Sequence, residues 1–418
     1  MTKTTHLQPT DLVGLARLTV DATQGITGLV EAMHHTIGSA PSPLGKTPAG
    51  TTRGLTRLVY RGIRGVTRLV GGSLDTVLGL LTPRLTKKPS SREREAILAA
   101  LNGVLGDYLE ATSNPLAIPM SFRQEGQKLD LSQPASLAAA FPEPAGKLLI
   151  FIHGLCMNDL QWQAPVLAVP NVPDVPAVPA VPAVPFPTFP ASFTQLHLHY
   201  NSGRPISQNG RELADLLERL LAAWPVPITE LDLLTHSMGG LLARSAHFYA
   251  TAAGHGWPRH LKRLFFLGTP HHGAPLERGG NLFESLLLES PYSAPFSRLG
   301  KIRSAGITDL RYGNLRESDA AGPDRFERRE DGRQPLPLPP GVAAFAIAAT
   351  TTATPGKLAT RFLGDGLVPV DSALGRHPRP EFCLDLPPEN TRVFPGIGHL
   401  QLLSDPEVRQ QILSWLES

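Results

Sequence analysis

The spacing of apolar residues changes repeatedly along the chain, which predicts a succession of strands and helices. A short, continuous apolar run, the pattern of a buried strand, begins at Lys147 with "KLLIFIHG". Further strand-like runs lie at 194–200, 231–236, 261–268, 341–350 and 391–396, and helical spacing is present at about 208–223 and 238–254. This order predicts an α/β fold with a mostly parallel sheet and helices on both faces.

The first 90 residues carry a different pattern, an internal duplication with helical spacing. "GLARLTVDATQGITGLV" from Gly14 and "GLTRLVYRGIRGVTRLV" from Gly54 match at glycine, arginine, leucine and threonine positions. At about 100° per residue, the second copy opposes an apolar face to an arginine face made of Arg53, Arg57, Arg61, Arg64 and Arg68. This amphipathic pattern predicts that residues 53–70 contact an anionic membrane surface. The alternative is a solvated arginine face on a helix packed against the rest of the protein.

Three parts follow from these patterns: a helical extension at 1–90, a connecting helix at 91–114 and a main α/β domain at 115–418, which opens with a hairpin.

Two stretches interrupt the main domain. A proline at every third position between Pro170 and Pro185 predicts a polyproline II rod in an insertion at 165–190, either a spacer or a docking site. Residues 276–340, with helical patches such as "NLFESLLLES", predict either a lid over the active site or a surface excursion.

Composition narrows the class of protein. The chain has 418 residues, 41% of them apolar, which is enough for a sizeable core. Cys156 and Cys383 have neither disulfide-framework nor metal-ligand spacing, so no metal site is expected and a reducing compartment is favoured. A net charge of +3 indicates no nucleic-acid partner. Without a signal-peptide pattern or an apolar run of about 18 residues, we expect a cytoplasmic protein, peripheral at the inner membrane face if residues 53–70 bind lipid.

The stretch "LTHSMGGLLARS" indicates a nucleophile. Ser237 lies between an apolar strand and a predicted helix, which is the context of the G-x-S-x-G motif. The serine of that motif takes an unusual backbone conformation and crowds the residues two before and two after it. Gly239 satisfies the second small position, whereas Thr235 replaces the first glycine and weakens the match.

A nucleophilic serine also needs a base, and an acid that orients the base. Asp365 in "GDGLV" and His399 in "GIGHL" each follow a predicted strand, in the expected order of acid then histidine. Asp371 is the rival acid. The rival bases, His271 and His272 in "GTPHHG" and His377, either precede the acid or lie in a proline-flanked loop.

The motifs HGL, HSMGG, GTPHHG and DG-V-P together resemble the lipase and esterase branch of the α/β-hydrolase superfamily, in particular its bacterial and GPI inositol-deacylase-like members. The resemblance covers about 115–418. It implies an α/β-hydrolase fold and an acyl-enzyme formed by Ser237, with His399 shuttling the proton and Asp365 orienting the imidazole. It also implies an oxyanion hole made of the backbone N–H groups of Leu155 and Met238.

The same resemblance bears on the remaining candidates. Substrate-binding positions are expected at His153, His236, His271 and His272, and for the first two the alternative is a histidine that orients the neighbouring loop. The resemblance implies no cofactor. Cys156 departs from the family pattern, since a second small residue often stands there.

Three functions remain open from the sequence. The first is a serine hydrolase that cleaves carboxylic esters, in particular lipid-like acyl esters, with the basic segment at a membrane. The second is an acyltransferase or thioesterase on the same fold. The third is a non-catalytic scaffold that binds partners through the proline rod, and the complete set of nucleophile, acid, base and oxyanion donors argues against it.

Overall fold

The structure is a computed structural model that describes residues 8, 10–23, 61, 90–162, 189–273, 304–320, 331–352 and 364–417. The proline rod, the basic segment 53–70 apart from Arg61, and much of the predicted lid lie outside the described residues. Two compact units are present, one made of Met1–Arg94 with Leu109–Ala117 and the other of Glu95–Tyr108 with Ile118–Ser418. The described residues contain no helix that is long and apolar enough to span a membrane.

The first unit contains a helical segment at 10–23, which polar side chains hold in place. Asp11 accepts hydrogen bonds of 2.6 and 2.7 Å from the guanidinium group of Arg94. Asn114 donates its side-chain amide to the carbonyl oxygen of Gly14 at 3.1 Å.

The second unit is built on one eight-stranded sheet with the order β2-β1-β4-β3-β5-β6-β7-β8. β1 pairs antiparallel with β2 and β4, and all other neighbouring pairs are parallel. The strands are β1 (Ser121–Gln124), β2 (Gln127–Lys128), β3 (Lys147–Ile152), β4 (Phe193–His199), β5 (Glu230–His236), β6 (Leu261–Leu267), β7 (Ala343–Thr350) and β8 (Thr391–Pro395).

Helices cover both faces of this sheet. They are α1 (Arg92–Ala111), α2 (Pro134–Ala140), α3 (Ile206–Ala223), α4 (Met238–Ala253), α5 (Ala305–Asp309), α6 (Val370–Ala373) and α7 (Pro406–Glu417). Because successive strand residues point to opposite faces, one set of sheet residues packs with α3 and α4 and the alternate set packs with α7. The apolar runs of the central strands β3, β5, β6 and β7 are thus buried on both faces, as parallel sheets require, whereas the edge strand β8 is partly exposed.

The parallel strands bring six connections to one edge of the sheet. The chain leaves that edge after Ile152, His199, His236, Leu267, Thr350 and Pro395, the last residues of β3, β4, β5, β6, β7 and β8. Carboxyl ends of parallel strands are where such sheets bind ligands. The prediction of a mostly parallel sheet with helices on both faces is confirmed, including the hairpin at its start.

Candidate active site

Ser237 occupies a sharp turn between β5 and α4. Its backbone has φ 53° and ψ −126°, in a region that non-glycine residues rarely adopt. The Ser237 amide donates a hydrogen bond of 2.8 Å to the carbonyl oxygen of Leu267 at the end of β6, which fixes the turn to the sheet. Such strained conformations persist where the surrounding structure determines them, and they are concentrated at functional sites.

The two small positions around Ser237 are filled in different ways. Thr235 is fully buried, and its Oγ1 donates a hydrogen bond of 2.7 Å to the carbonyl oxygen of Phe265. Its hydroxyl group is therefore satisfied inside the sheet, and a threonine is compatible with this turn. Gly239 has no such freedom, because a Cβ atom there would lie 2.5 Å from the carbonyl oxygen of Ile152 and 2.8 Å from that of His153.

Asp365 and His399 form a buried pair. His399 Nδ1 lies 2.7 Å from Asp365 Oδ2, and the His399 amide donates to the carbonyl oxygen of Asp365 at 3.1 Å. The second carboxylate oxygen of Asp365 accepts hydrogen bonds from the amides of Leu367 and Val368 at 3.0 and 2.8 Å. Both carboxylate oxygens are thus held by donors, and the imidazole ring is oriented by one of them.

His236 connects this pair with the Ser237 turn. Its Nε2 lies 3.1 Å from the carbonyl oxygen of His399, and the centroids of the two rings are 4.7 Å apart. Burial lowers the pKa of His236 well below its ordinary value, so the ring is neutral. Because His236 directly precedes Ser237 in the chain, this contact brings the loop of His399 to the Ser237 turn.

The loop after β3 lies against the same turn. A Cβ atom at Gly154 would lie 2.9 Å from Ser237 Cβ, so the backbone passes the serine at a distance that only glycine permits. Leu155 follows directly and is buried. Met238 is the first residue of α4, so its amide has no acceptor within the helix. Leu155 and Met238 are therefore the residues that directly follow Gly154 and Ser237, the two residues in contact here.

His153 makes contacts that hold this loop. Its ring stacks on Tyr200 with a centroid separation of 4.3 Å, and the Tyr200 hydroxyl donates to the His153 carbonyl oxygen at 2.9 Å. Burial lowers the pKa of His153 to about 3, so the ring is neutral. These contacts tie His153 to Tyr200, the residue that follows β4.

The two histidines of "GTPHHG" lie in a cluster around Arg244. His271 Nδ1 is 3.3 Å from Arg244 Nη1, and the ring of His272 lies 4.9 Å from that of His377. Burial lowers the pKa of His271 well below its ordinary value and that of His272 to about 3. Arg244, which sequence reasoning did not single out, has a carbonyl partner in Leu336 at 2.5 Å.

The rival acid has a different environment. Asp371 pairs with Arg376 at 3.9 Å, and its side chain is 34% exposed. Asp365 is fully buried and contacts His399 directly. Of the two candidates, the structure therefore brings only Asp365 to a histidine of the candidate site.

A second buried polar group behind the loop was missed from the sequence. Arg123 on β1, Asp159 after the loop and His199 at the end of β4 contact one another. The only sequence signal was the presence of charged or ionisable residues in otherwise apolar surroundings, and that signal does not show that the three side chains meet.

Comparison with known proteins gives a partial match. Residues 143–319 match a family model described as PGAP1-like alpha/beta domain, and no curated protein matches the chain. Among solved structures, the chain is similar to RedJ with a PEG molecule bound in the active site, at 18% identity and a TM-score of 0.31, over 66% of this chain and 98% of that one.

Two further structures show similarity of the same order. The phospholipase PlaB from Legionella pneumophila in complex with thio-NAD has 15% identity and a TM-score of 0.29, over 54% of this chain and 44% of that one. The ester-hydrolase EH1AB1 from the metagenome of Lake Arreo has 13% identity and a TM-score of 0.34, over 66% and 76%. Because these identities and TM-scores are low, we describe the fold from the strand order and the Ser237 turn of this chain.

The strand order and the Ser237 turn agree with the fold that the sequence motifs predicted. The mostly parallel sheet places the Ser237 turn, the Asp365 loop and the His399 loop at one edge, in the chain order serine, acid, histidine. Residues 143–319 match the PGAP1-like α/β domain, and the chain has the α/β-hydrolase fold.

Proposed function

We propose that the protein is a serine hydrolase that cleaves carboxylic esters through an acyl-enzyme. The observation that supports this most directly is the 2.7 Å contact between Asp365 Oδ2 and His399 Nδ1, beside a serine with φ 53° at the start of a helix. A carboxylate that orients an imidazole next to a strained serine is the arrangement of acyl-transfer enzymes.

The reaction follows from these positions. His399 Nε2 takes the proton of Ser237 Oγ as the oxygen attacks the ester carbonyl, and the amides of Leu155 and Met238 bind the oxyanion. When the tetrahedral intermediate collapses, the bond to the alcohol oxygen breaks, and the His399 imidazolium donates its proton to that oxygen. Water then attacks the acyl-enzyme with His399 again as base, which releases the acid and regenerates Ser237.

Asp365 supports both steps without changing its own protonation. Its Oδ2 holds the Nδ1–H tautomer of His399, and the positive charge that forms on the ring lies beside the carboxylate. The amides of Leu367 and Val368 keep the carboxylate in place during that change. Asp371 takes no part in this scheme.

Lipid-like acyl esters are the substrate class that we propose, on the resemblance of the HGL, HSMGG and GTPHHG motifs to lipases. An acyltransferase or thioesterase is the alternative, because the same acyl-enzyme forms from other acyl donors and transfers to other acceptors. Analysis of products distinguishes the hydrolase from the acyltransferase: a hydrolase releases the free acid, whereas an acyltransferase forms a new ester with an added alcohol. A thioesterase also releases the free acid, so it is distinguished by a higher kcat/KM for a thioester than for the oxygen ester of the same acyl group.

A fluorophosphonate probe and p-nitrophenyl esters of increasing chain length test the proposal. Ser237→Ala is expected to abolish labelling and to lower kcat/KM by at least about 10³-fold. Ser132→Ala, an exposed serine after β2, is the matched control and should behave as the wild type. Labelling that persists in Ser237→Ala would overturn the assignment of the nucleophile.

We also propose that residues 53–70 bind an anionic membrane surface, on the basis of their arginine face. The full chain should float with vesicles that contain phosphatidylglycerol and not with neutral vesicles. Joint replacement of Arg57, Arg61, Arg64 and Arg68 by glutamine should abolish flotation without changing hydrolysis of a soluble ester. Flotation that is equal for both vesicle types contradicts the proposal.

A further inference from the structure

A buried group of charged side chains lies behind the loop that carries Leu155. Asp159 Oδ1 is 3.2 Å from Arg123 Nη1 and 3.3 Å from His199 Nδ1. Glu95 Oε2 contacts the same Arg123 nitrogen at 2.8 Å. The Asp159 side chain is 0% exposed, so its negative charge is stabilised by these neighbouring groups and not by water.

Asp159 connects this charged group with the loop that carries Leu155. Asp159 begins a short 3₁₀ helix, Asp159–Trp162, and follows Leu155 by four residues. Arg123 lies on β1 and His199 is the last residue of β4, so the carboxylate joins the far end of the loop to two strands of the sheet. A shift of Asp159 away from these strands would carry the loop with it.

Other contacts hold the near end of the loop. The Tyr200 hydroxyl donates to the carbonyl oxygen of His153, and the Cys156 amide donates to Ser202 Oγ at 3.1 Å. Cys156 itself has φ 58°, a conformation that persists only while its surroundings determine it. Neutral hydrogen bonds thus hold the loop on both sides of Leu155, at His153 and Cys156, and an ion pair holds it farther along the chain at Asp159.

The charge on Asp159 is maintained inside the protein. Burial raises the pKa of Asp159, but the hydrogen bond from His199 and the charges of His199 and Arg123 outweigh burial and bring the pKa to about 2. Burial lowers the pKa of His199, and its contact with Asp159 opposes that shift. Removal of the Arg123 charge would leave two buried carboxylates without that cation, whereas removal of the Asp159 charge leaves Arg123 paired with Glu95.

We propose that Asp159, through its ion pair with Arg123, is a positioning residue that fixes the Leu155 amide for oxyanion binding. The role in oxyanion binding rests on the proposed hydrolase function, whereas the fixing of the loop does not. Loss of one oxyanion donor lowers kcat by about 10²–10³-fold, and a misplacement of about 1 Å has an effect of similar size. Partial loss of this geometry should lower kcat and leave substrate binding nearly unchanged.

Asp159→Asn tests the charge with little change of shape. We expect kcat to fall about tenfold with KM within about twofold of the wild type, and amide hydrogen exchange to become faster in residues 153–158. Arg123→Lys, which keeps the positive charge, should retain most of kcat, whereas Arg123→Gln should match Asp159→Asn. Asp215→Asn makes the same chemical change at a side chain that is 68% exposed and should leave both measurements unaltered.

The outcomes are distinct. A lower kcat at unchanged KM, together with faster exchange confined to the loop, supports the proposal. An unchanged kcat, or exchange that becomes faster throughout the sheet, overturns it, since the second result indicates a general loss of stability. If the wild-type chain hydrolyses no ester, the proposed function fails, and the exchange comparison alone decides whether Asp159 fixes the loop.

Discussion

At the scale of single residues, the hydrogen bond from Thr235 Oγ1 to the carbonyl oxygen of Phe265 joins β5 to β6 two residues before Ser237. A buried hydroxyl group without a partner costs about 1–3 kcal/mol, so this bond is what makes threonine compatible with the interior position. The turn tolerates a compact polar side chain before Ser237 because the neighbouring strand offers an acceptor. Gly239, which faces two carbonyl oxygens, has no equivalent solution.

Thr235→Val tests this account at constant shape. The substitution removes the donor to the Phe265 carbonyl oxygen, and we expect the free energy of unfolding to fall by about 1 kcal/mol, measured by urea denaturation. Fluorophosphonate labelling of Ser237 should persist, because the side chain keeps its volume. Thr229→Val is the control, since Thr229 donates to the Gly146 carbonyl oxygen at 3.2 Å from an exposed position. Loss of labelling in Thr235→Val would contradict the explanation.

At the scale of elements, parallel pairing places the candidate groups at one edge. Ile152 pairs with Thr235, and Thr235 pairs with Phe266, so β3, β5 and β6 end side by side. The loops that follow them carry Leu155, Ser237 and the histidines of "GTPHHG". The Asp365 and His399 loops follow β7 and β8 at the same edge. The proposed reaction site therefore depends on the parallel direction of the strands as well as on the side chains.

The helices on the two faces have different relations to this edge. α4 begins at Met238 and supplies an amide next to Ser237, whereas α7 follows the His399 loop and packs on the opposite face. The buried residues of that packing are Val408, Ile412, Leu413, Trp415 and Leu416. The position of the His399 loop thus depends on how α7 packs, and that of Ser237 depends on α4.

At the scale of the whole molecule, the two ends of the parallel strands differ in chemistry. The carboxyl ends carry the candidate site, and the amino ends carry a network of charges. Arg263 Nη1 contacts Glu230 and lies 3.1 Å from Asp232 Oδ2, and Lys147 contacts Glu230 at 2.8 Å. Burial raises the pKa of Asp232 to about 7 even though Arg263 is near.

Asp232 should make stability depend on pH. Because its pKa is higher in the folded chain than the ordinary value of 3.8, the folded state binds the proton more tightly, and the stability so gained is lost as pH rises from about 4 to 7. Asp232→Asn stays neutral, so at pH 8 we expect it to exceed the wild type by about 1–3 kcal/mol in the free energy of unfolding.

Thermal or urea unfolding at pH 5 and pH 8 measures this difference. The exposed replacement Asp215→Asn should follow the wild type at both pH values. Ester hydrolysis should be unaffected in Asp232→Asn, because Asp232 lies near the amino end of β5 and Ser237 follows its carboxyl end. Parallel pH dependence in wild type and Asp232→Asn would contradict the role assigned to this carboxyl group.

By itself, the sequence determined the strands, the main helices, the strand-turn-helix context of Ser237 and the chain order of serine, acid and histidine. Each of these is encoded locally, by apolar period or by a short motif. Only the tertiary structure paired Asp365 with His399, placed His271 and His272 around Arg244, gave Thr235 its acceptor and joined Asp159 to Arg123. Those contacts join residues that lie 27 to 36 positions apart in the chain. Which side chains meet at such separations depends on how the strands assemble into the sheet, and a local sequence pattern does not encode that.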